Sequence, residues 1–335
     1  MREYATGRRY TDLAYVQCIW YTYRLLTEPI AFKMRGAVHT LQRLCGAHPR
    51  VPSNRITVVT HSSGNHAQAL ALASRDLGFQ CQVVMPRTAS AAKKAAVRGY
   101  GAIVTECEPT LKARERAAAQ IVDLLQKEAN ERRDGGFARL VPPYDHEDII
   151  AAQGTAVLEL FSQVGQLAPN VTLDVVITPV GGGGLLSGTS IAAKSISTSI
   201  LVFGAEPTGG AYAHRSYTTR QYHNSIEPRT IADGLLTSLG TLNFPIILQH
   251  VDWIYTVTDE QIVRAMKLIW ERMKIIVEPS AAVGLAVVLF SVEFQERMKM
   301  LGREGVVNVG LVLSGGNVDL ERIGEVFKAP LGPIE

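Results

Sequence analysis

Short apolar runs rich in β-branched residues alternate along the chain with longer segments that carry apolar residues at helical spacing. The runs predict strands at residues 56–60, 81–85, 102–105, 138–141, 173–180, 200–205 and 305–313. The longer segments predict helices at residues 38–44, 67–77, 89–98, 110–132, 148–164, 262–273 and 279–289, with a last helix after residue 317. Strands that alternate with helices in this way indicate an α/β protein whose parallel sheets are packed between helices.

Some segments depart from this pattern. Residues 1–30 combine a polar start with an aromatic-rich stretch that has no clear period, so we predict no element and no chemistry there. Residues 207–240 are rich in loop-forming residues. A cluster of arginine, aspartate and glycine at residues 132–136 is typical of a boundary between domains.

The composition narrows the class of protein. With 335 residues, 47% of them apolar, the chain can bury one large or two medium cores. A net charge of +3, from 34 Lys and Arg against 31 Asp and Glu, favours neither a nucleic-acid nor a membrane partner. The four cysteines lack metal-ligand spacing and no stretch has the length of a membrane helix, so we expect a reduced, cytoplasmic protein.

The predicted strand at residues 173–180 leads into a glycine loop and then into a predicted helix. The loop consists of Gly181, Gly182, Gly183 and Gly184 and is followed by Leu185. Backbone N–H groups of such a loop can turn toward a phosphate at the positive end of the helix dipole. The lysine of a nucleoside-triphosphate loop is missing. Two alternatives remain: a nicotinamide dinucleotide with Glu206 as its ribose ligand, and a turn that binds nothing.

Polar turns follow or flank several predicted strands, and the carboxyl ends of parallel strands share one edge of a sheet. Ser63 and Asn65 lie beside the N-terminus of the helix at residues 67–77, where their side chains suit a carboxylate ligand. The serines are equally compatible with ordinary helix caps. Lys33 lies where a loop would enter a helix, and taken alone a lysine there is usually a solvated residue.

Five motifs together resemble those of fold-type II pyridoxal-phosphate enzymes, in particular the branch of serine racemase, threonine dehydratase and 3-hydroxyaspartate dehydratase. They lie, in the family's order, at residues 31–37, 62–66, 181–185, 230–234 and 314–319. The resemblance implies two doubly wound, mostly parallel sheets of the tryptophan synthase β type. It also implies a large cofactor-binding domain of residues 1–53 and 135–335, with residues 1–26 atypical, and a small mobile domain of residues 54–134.

The resemblance implies pyridoxal 5′-phosphate as the cofactor and assigns its ligands. Lys33, beside Phe32, would form the Schiff base with it, and the glycine loop with Leu185 would bind its phosphate. Asn65 would hydrogen-bond the ring hydroxyl, and Ser314 would face the pyridine nitrogen. The substrate carboxylate would bind to the loop that contains Ser62, Ser63, Asn65 and His66.

The implied reaction begins with elimination of water from a small β-hydroxy amino acid such as serine, threonine or 3-hydroxyaspartate, with Lys33 removing the α-proton. Hydrolysis of the product then gives a keto acid and ammonia. Ser63 matches the serine that returns a proton on the opposite face in serine racemases, which permits racemisation. Family members are often dimers, so we expect a homodimer. A catalytically silent homologue that acts as a partner protein is the alternative, because residues 1–30 differ from the family.

The resemblance also implies a site for Mg²⁺ or Ca²⁺. Glu206 matches its first carboxylate ligand, and the backbone carbonyl of Gly210 matches its second ligand. Tyr212 stands where the family has a further carboxylate, so the expected ligand set is incomplete.

Overall fold

The computed structural model describes residues 16–22, 31–133, 135–301 and 307–328, and only the backbone of residues 16–22 and 322. These residues form two compact units that meet in sequence between residues 152 and 153. We call residues 31–152 the contiguous unit, and residues 16–22 with 153–328 the discontinuous unit. The predicted domain boundaries lie elsewhere, after residues 53 and 134, and that division stays a prediction.

The elements follow one another along the chain in the order that an alternating α/β protein requires. The first part contains β1 (Val16–Thr22), α1 (Lys33–Ala47), β2 (Ile56–His61), α2 (Asn65–Leu77), β3 (Gln80–Pro86), α3 (Ala91–Gly99), β4 (Ile103–Cys107), α4 (Leu111–Arg132), β5 (Phe137–Leu140) and α5 (Glu147–Leu167). The second part contains β6 (Val175–Pro179), α6 (Gly184–Ile196), β7 (Leu201–Pro207), α7 (Tyr212–Thr219), α8 (Asn243–His250), β8 (Trp253–Val257), α9 (Asp259–Leu268), α10 (Pro279–Phe290), α11 (Val292–Leu301), β9 (Val307–Val312) and α12 (Leu320–Lys328).

The contiguous unit is built on a four-stranded parallel sheet with strand order β4-β3-β2-β5. Every residue of β2 is buried, because helices cover both faces of the sheet. Val58 packs into a core that includes residues of α1 and α2, whereas the next residue, Val59, packs with Ala118 of α4. Because successive side chains of a strand point to opposite faces of the sheet, β2 contributes to two separate cores.

The discontinuous unit is built on a five-stranded parallel sheet with strand order β1-β9-β6-β7-β8. Val175 and Ile177 of β6 face a core with residues of α9 and α10. Val176, between them, faces a second core with residues of α5, α6 and α8. Both sheets are thus parallel and covered on both faces, which confirms the predicted fold class.

The main differences from the sequence prediction lie in five segments, one of which is the strand β8, for which no element was predicted. Residues 16–22, for which no element was predicted, form β1 at the edge of the five-stranded sheet. The segment predicted as loops contains α7, and neither α8 nor α11 was predicted. Residues 1–15 and 23–30, whose sequence also differs from the family, lie outside the described residues. In the described parts of the chain, no helix combines the length and the hydropathy that crossing a membrane requires.

Candidate functional site

Lys33 is the first residue of α1, and its side chain is held by residues of the same unit. Its Nζ donates a 2.6 Å hydrogen bond to the carbonyl oxygen of Pro143. The same Nζ lies 4.8 Å from the ring centroid of Phe32 and 5.8 Å from that of Tyr144. The carbonyl oxygen and the two aromatic rings therefore orient the Nζ atom of Lys33.

The sequence pattern did not identify Pro143 and Tyr144 as neighbours of this lysine. The Pro143 contact uses a backbone carbonyl 110 positions further along the chain. Every residue has a backbone carbonyl group, so the residue type does not show which carbonyl contacts the lysine.

The loop between β2 and α2 leaves the N-terminus of α2 without a side-chain cap, because Gly64 occupies the capping position. The backbone N–H of Ser62 donates to the carbonyl of Val84 (3.1 Å), and the Ser62 hydroxyl accepts from the backbone N–H of Gly64 (3.3 Å). Ser63 and Asn65 are half-buried beside this helix start. Uncapped N–H groups at a helix N-terminus suit an anion such as a carboxylate.

His66 and His61 are buried in the same region, and burial governs the pKa of both rings. Desolvation, reinforced by the charge of Lys33, lowers the pKa of His66 to about 3, although a hydrogen bond to Val141 opposes the shift. Desolvation and the charge of Arg114 lower the pKa of His61 to about 4. Both rings are therefore neutral near pH 7 and can take part in hydrogen bonds without adding charge.

In the discontinuous unit, the glycine loop connects β6 to α6 and is buried throughout. Gly183 has a φ of 91°, and a Cβ there would lie 2.9 Å from the Cβ of Asn243. A Cβ at Gly181 would lie 3.0 Å from the Cα of Leu235. A side chain at either position would collide with these neighbours, so the loop can pack against them only with glycine there.

The start of α6 leaves N–H groups available to a ligand at this loop. The N–H of Ser187 bonds to the carbonyl of Gly183 (2.8 Å) and is the first in α6 to meet a carbonyl of the preceding turn. The N–H groups of residues 184–186 come before it, at the positive end of the helix. This geometry suits a phosphate group.

Ser314 lies just beyond β9 and is 3% exposed. Ile177 of β6 pairs with Leu311 of β9, so the glycine loop and Ser314 follow neighbouring parallel strands at the same end of the sheet. A neutral hydroxyl beside a phosphate cradle fits a phosphorylated pyridine. The residues of this unit therefore fit pyridoxal 5′-phosphate.

Glu206 is at the end of β7 and is 3% exposed. Its Oε1 accepts the backbone N–H of Ala213 (2.9 Å) and its Oε2 accepts that of His214 (2.8 Å), so it binds the start of α7. Burial raises the pKa of this carboxyl group to about 8, and the N–H groups of His214, Ala213 and Tyr212 act in the opposite direction. Both oxygens of its side chain thus have hydrogen-bond partners in the protein itself.

Comparison with known proteins places these features in a family. The family model described as "Pyridoxal-phosphate dependent enzyme" matches residues 14–311. The chain is 45% identical to serine racemase of Dictyostelium discoideum over 89% of this chain and 83% of that protein. It is 40% identical to beta-hydroxyaspartate dehydratase of Paracoccus denitrificans over 88% of this chain and 84% of that protein. The structure of maize serine racemase matches with a TM-score of 0.79 and 34% identity, over 94% of this chain and 87% of that one.

Proposed function

The chain belongs to the family of pyridoxal-phosphate dependent enzymes, and we propose that it catalyses the elimination of water from a small β-hydroxy amino acid, with racemisation as a second activity. Water then hydrolyses the unsaturated product to a keto acid and ammonia. The proposed substrates are serine, threonine and 3-hydroxyaspartate. The observation that carries the proposal is Lys33, whose amine lies at the start of α1 and contacts the carbonyl of Pro143.

Bound pyridoxal phosphate withdraws electrons from the α-carbon of an attached amino acid and so makes its α-proton acidic. Lys33 would hold the cofactor through its Nζ and would later take the α-proton on the same atom. The carbonyl of Pro143 and the rings of Phe32 and Tyr144 support this role, because they orient Nζ.

In the discontinuous unit, the glycine loop with Leu185 would bind the cofactor phosphate, and the Ser314 hydroxyl would meet the pyridine nitrogen. A hydroxyl stabilises a protonated nitrogen less than a carboxylate does. Ser314 would therefore limit how far negative charge spreads into the ring. This property suits elimination of a β-hydroxyl, in which the charge passes directly to the leaving group.

The loop before α2 would bind the substrate carboxylate. Its uncapped helix N-terminus and the hydroxyl of Ser62 offer donors, and the neutral His66 adds no competing charge. Asn65 would bond the cofactor ring hydroxyl. The Oγ of Ser63 would return a proton to the opposite face of the α-carbon, which converts one enantiomer into the other.

The visible absorption spectrum with pyridoxal phosphate, before and after borohydride, tests this proposal. We expect a band that borohydride abolishes while fixing the cofactor to the wild-type protein, and no such band in Lys33→Ala. Lys112→Ala, which removes an exposed lysine of α4, is the matched control and should behave as wild type. A folded wild-type protein without the band would instead favour a catalytically silent homologue. If the band is present, a keto-acid assay with serine, threonine and 3-hydroxyaspartate would rank the three substrates.

We also propose that the protein is a homodimer in the cytoplasm. The dimer rests on the family resemblance, and sedimentation equilibrium would test it. The compartment is supported by the free thiols of Cys45, Cys81 and Cys107 in the described residues. Localisation of a fluorescent fusion would test the compartment.

A further inference from the structure

The segment that follows β7 is where the family resemblance implies a divalent cation, and its side chains are arranged differently in this chain. Mg²⁺ and Ca²⁺ require several oxygen ligands, usually including more than one carboxylate. Glu206 is the only acidic residue between residues 175 and 226. In the described residues, no group of three or more His, Cys, Asp or Glu side chains could hold a metal ion.

The Glu206 carboxyl group already accepts hydrogen bonds from the protein backbone. Both of its oxygens accept backbone N–H groups, from Ala213 at 2.9 Å and from His214 at 2.8 Å. These donors form the first turn of α7, whose dipole is positive at this end. A cation placed on the same oxygens would face N–H groups and the positive end of a helix, which disfavours its binding.

Tyr212 makes a second connection across the same region. Its hydroxyl donates a hydrogen bond to the carbonyl of Ile226. The hydroxyl of Ser216, one turn later, donates to the carbonyl of Tyr212 (2.7 Å) and accepts from the backbone N–H of His223 (3.0 Å). The start of α7 is therefore joined to residues 223–226 by protein groups alone.

A backbone contact continues this connection toward the glycine loop. The N–H of Arg229 donates to the carbonyl of Gly209 (2.8 Å), and a Cβ at Gly209 would lie 1.9 Å from the Arg229 oxygen. The chain then passes through residues 230–234 to Leu235, whose Cα limits the space beside Gly181. The hydrogen-bonded segment after β7 is thus linked through residues 230–235 to the glycine loop, which is the proposed phosphate site.

We propose that Glu206 and Tyr212 replace the family's divalent cation, so that this chain is ordered and active without Mg²⁺ or Ca²⁺. Glu206 joins β7 to α7, and Tyr212 joins α7 to residue 226. Both residues are positioning residues, because neither is proposed to touch the substrate or the cofactor.

The test is the thermal midpoint, Tm, of the chelator-treated protein loaded with pyridoxal phosphate, measured by circular dichroism with added Mg²⁺, added Ca²⁺ or EDTA. We expect the same Tm in all three conditions and no heat of cation binding by calorimetry. A rise of Tm with either cation, or a measurable binding isotherm, would overturn the proposal. This readout needs no turnover, so it stands apart from a failure of the proposed activity, which the absorption spectrum reports.

Substitutions of Tyr212 separate the missing carboxylate from the added hydroxyl. Tyr212→Asp restores the family's charge in the first turn of α7, where an acidic residue is favourable, and we expect its Tm to rise with Mg²⁺ or Ca²⁺. Tyr212→Asn is the uncharged control and should lack that response. Tyr212→Phe should lower the Tm equally with and without a cation, since it removes only the bond to Ile226. A folded Tyr212→Asp protein without a cation response would refute the role given to Tyr212.

Discussion

The Nε2 atom of His66 lies 3.2 Å from the carbonyl oxygen of Val141, while its other ring nitrogen, Nδ1, is buried without a hydrogen-bond partner in the described part of the protein. Because a carbonyl can only accept, Nε2 carries the ring proton and Nδ1 presents a lone pair. A neutral imidazole in this tautomer can accept one hydrogen bond from a substrate or a cofactor. Burial, with a smaller contribution from the charge of Lys33, lowers the pKa of the ring and keeps it neutral.

Acid should destabilise the protein through its buried histidines. The folded-state pKa of His66 is about 3 and that of His61 about 4, whereas both are near 6.5 when the chain is unfolded. The unfolded chain therefore binds more protons between these values, so the free energy of unfolding should decrease as pH falls from about 6.5 toward 3. Denaturation by urea at a series of pH values measures this slope.

Substitution of the buried ring should reduce that slope. His66→Gln keeps an N–H donor for Val141 but cannot titrate, so its stability should depend less on pH below 6.5. His48→Gln removes an exposed histidine of the same unit and serves as the control. An unchanged slope in His66→Gln would show that His66 is not the group that takes up protons on unfolding.

Gly183→Ala should weaken cofactor binding by deforming the glycine loop. A left-handed conformation costs a residue with a Cβ about 1–2 kcal/mol, and the new methyl group would meet Asn243 and Ile247 at 2.9 and 3.1 Å. We expect the dissociation constant of pyridoxal phosphate to rise by about tenfold or more. Titration of the visible band measures it.

A matched glycine provides the reference for this change. Gly165 lies on the exposed side of α5, where an added Cβ has no neighbour within 4 Å. Gly165→Ala should leave cofactor affinity unchanged and should stabilise the helix slightly. Equal affinity losses in both variants would contradict the role proposed for the loop.

Ser63→Ala should separate the two proposed activities. Without the Ser63 hydroxyl no group would return a proton to the second face, so racemisation should fall by about 10²–10⁴-fold. Elimination should remain within about tenfold, since it uses Lys33 alone for the α-proton. Chiral chromatography of serine and a keto-acid assay on the same samples give the ratio of the two rates.

Ser62→Ala offers a contrast within the same loop. Its hydroxyl accepts the N–H of Gly64 and shapes the proposed carboxylate site. We expect a higher KM for both reactions and an unchanged ratio between them. A shift of the ratio in Ser62→Ala, rather than in Ser63→Ala, would show that Ser62 and not Ser63 donates the proton.

The start of α9 provides a stability test that is remote from the chemistry. Thr258 accepts the N–H of Gln261, and the Gln261 side chain accepts the N–H of Thr258 (2.9 Å), so the two residues form a capping box. Thr258→Ala should lower the free energy of unfolding by about 1 kcal/mol, whereas Thr258→Ser should retain most of it. Chemical denaturation compares the two, and equal losses would exclude the hydroxyl as the cause.

Local patterns predicted the elements whose determinants lie close together in sequence. The capping box of α9 and the left-handed Gly78 that ends α2 are both such signals. In contrast, the first N–H groups of α7 bind a carboxyl group that belongs to the preceding strand. β1 likewise depends on pairing with β9, far along the chain. Elements of this kind are fixed by tertiary contacts, which a pattern of residue types does not record.

The candidate site shows the same division. The resemblance named Lys33, Asn65 and the glycine loop because their residue types carry the chemistry, and their roles stay predictions that the experiments above address. It did not identify Pro143, whose contribution is a backbone carbonyl. It could mark Tyr212 as a departure, but only the hydrogen bond to Ile226 suggests what the tyrosine does instead.

The strand order of the discontinuous unit has a consequence for biosynthesis. Every strand of the contiguous unit lies between residues 56 and 140, so its sheet can close while later residues are still inside the ribosome. β1 is translated before all of these strands, yet its partner β9 is translated after every other strand. Throughout that interval the backbone of β1 has exposed donors and acceptors that could pair with another nascent chain. We therefore expect residues 16–22 to be the segment for which a molecular chaperone matters most.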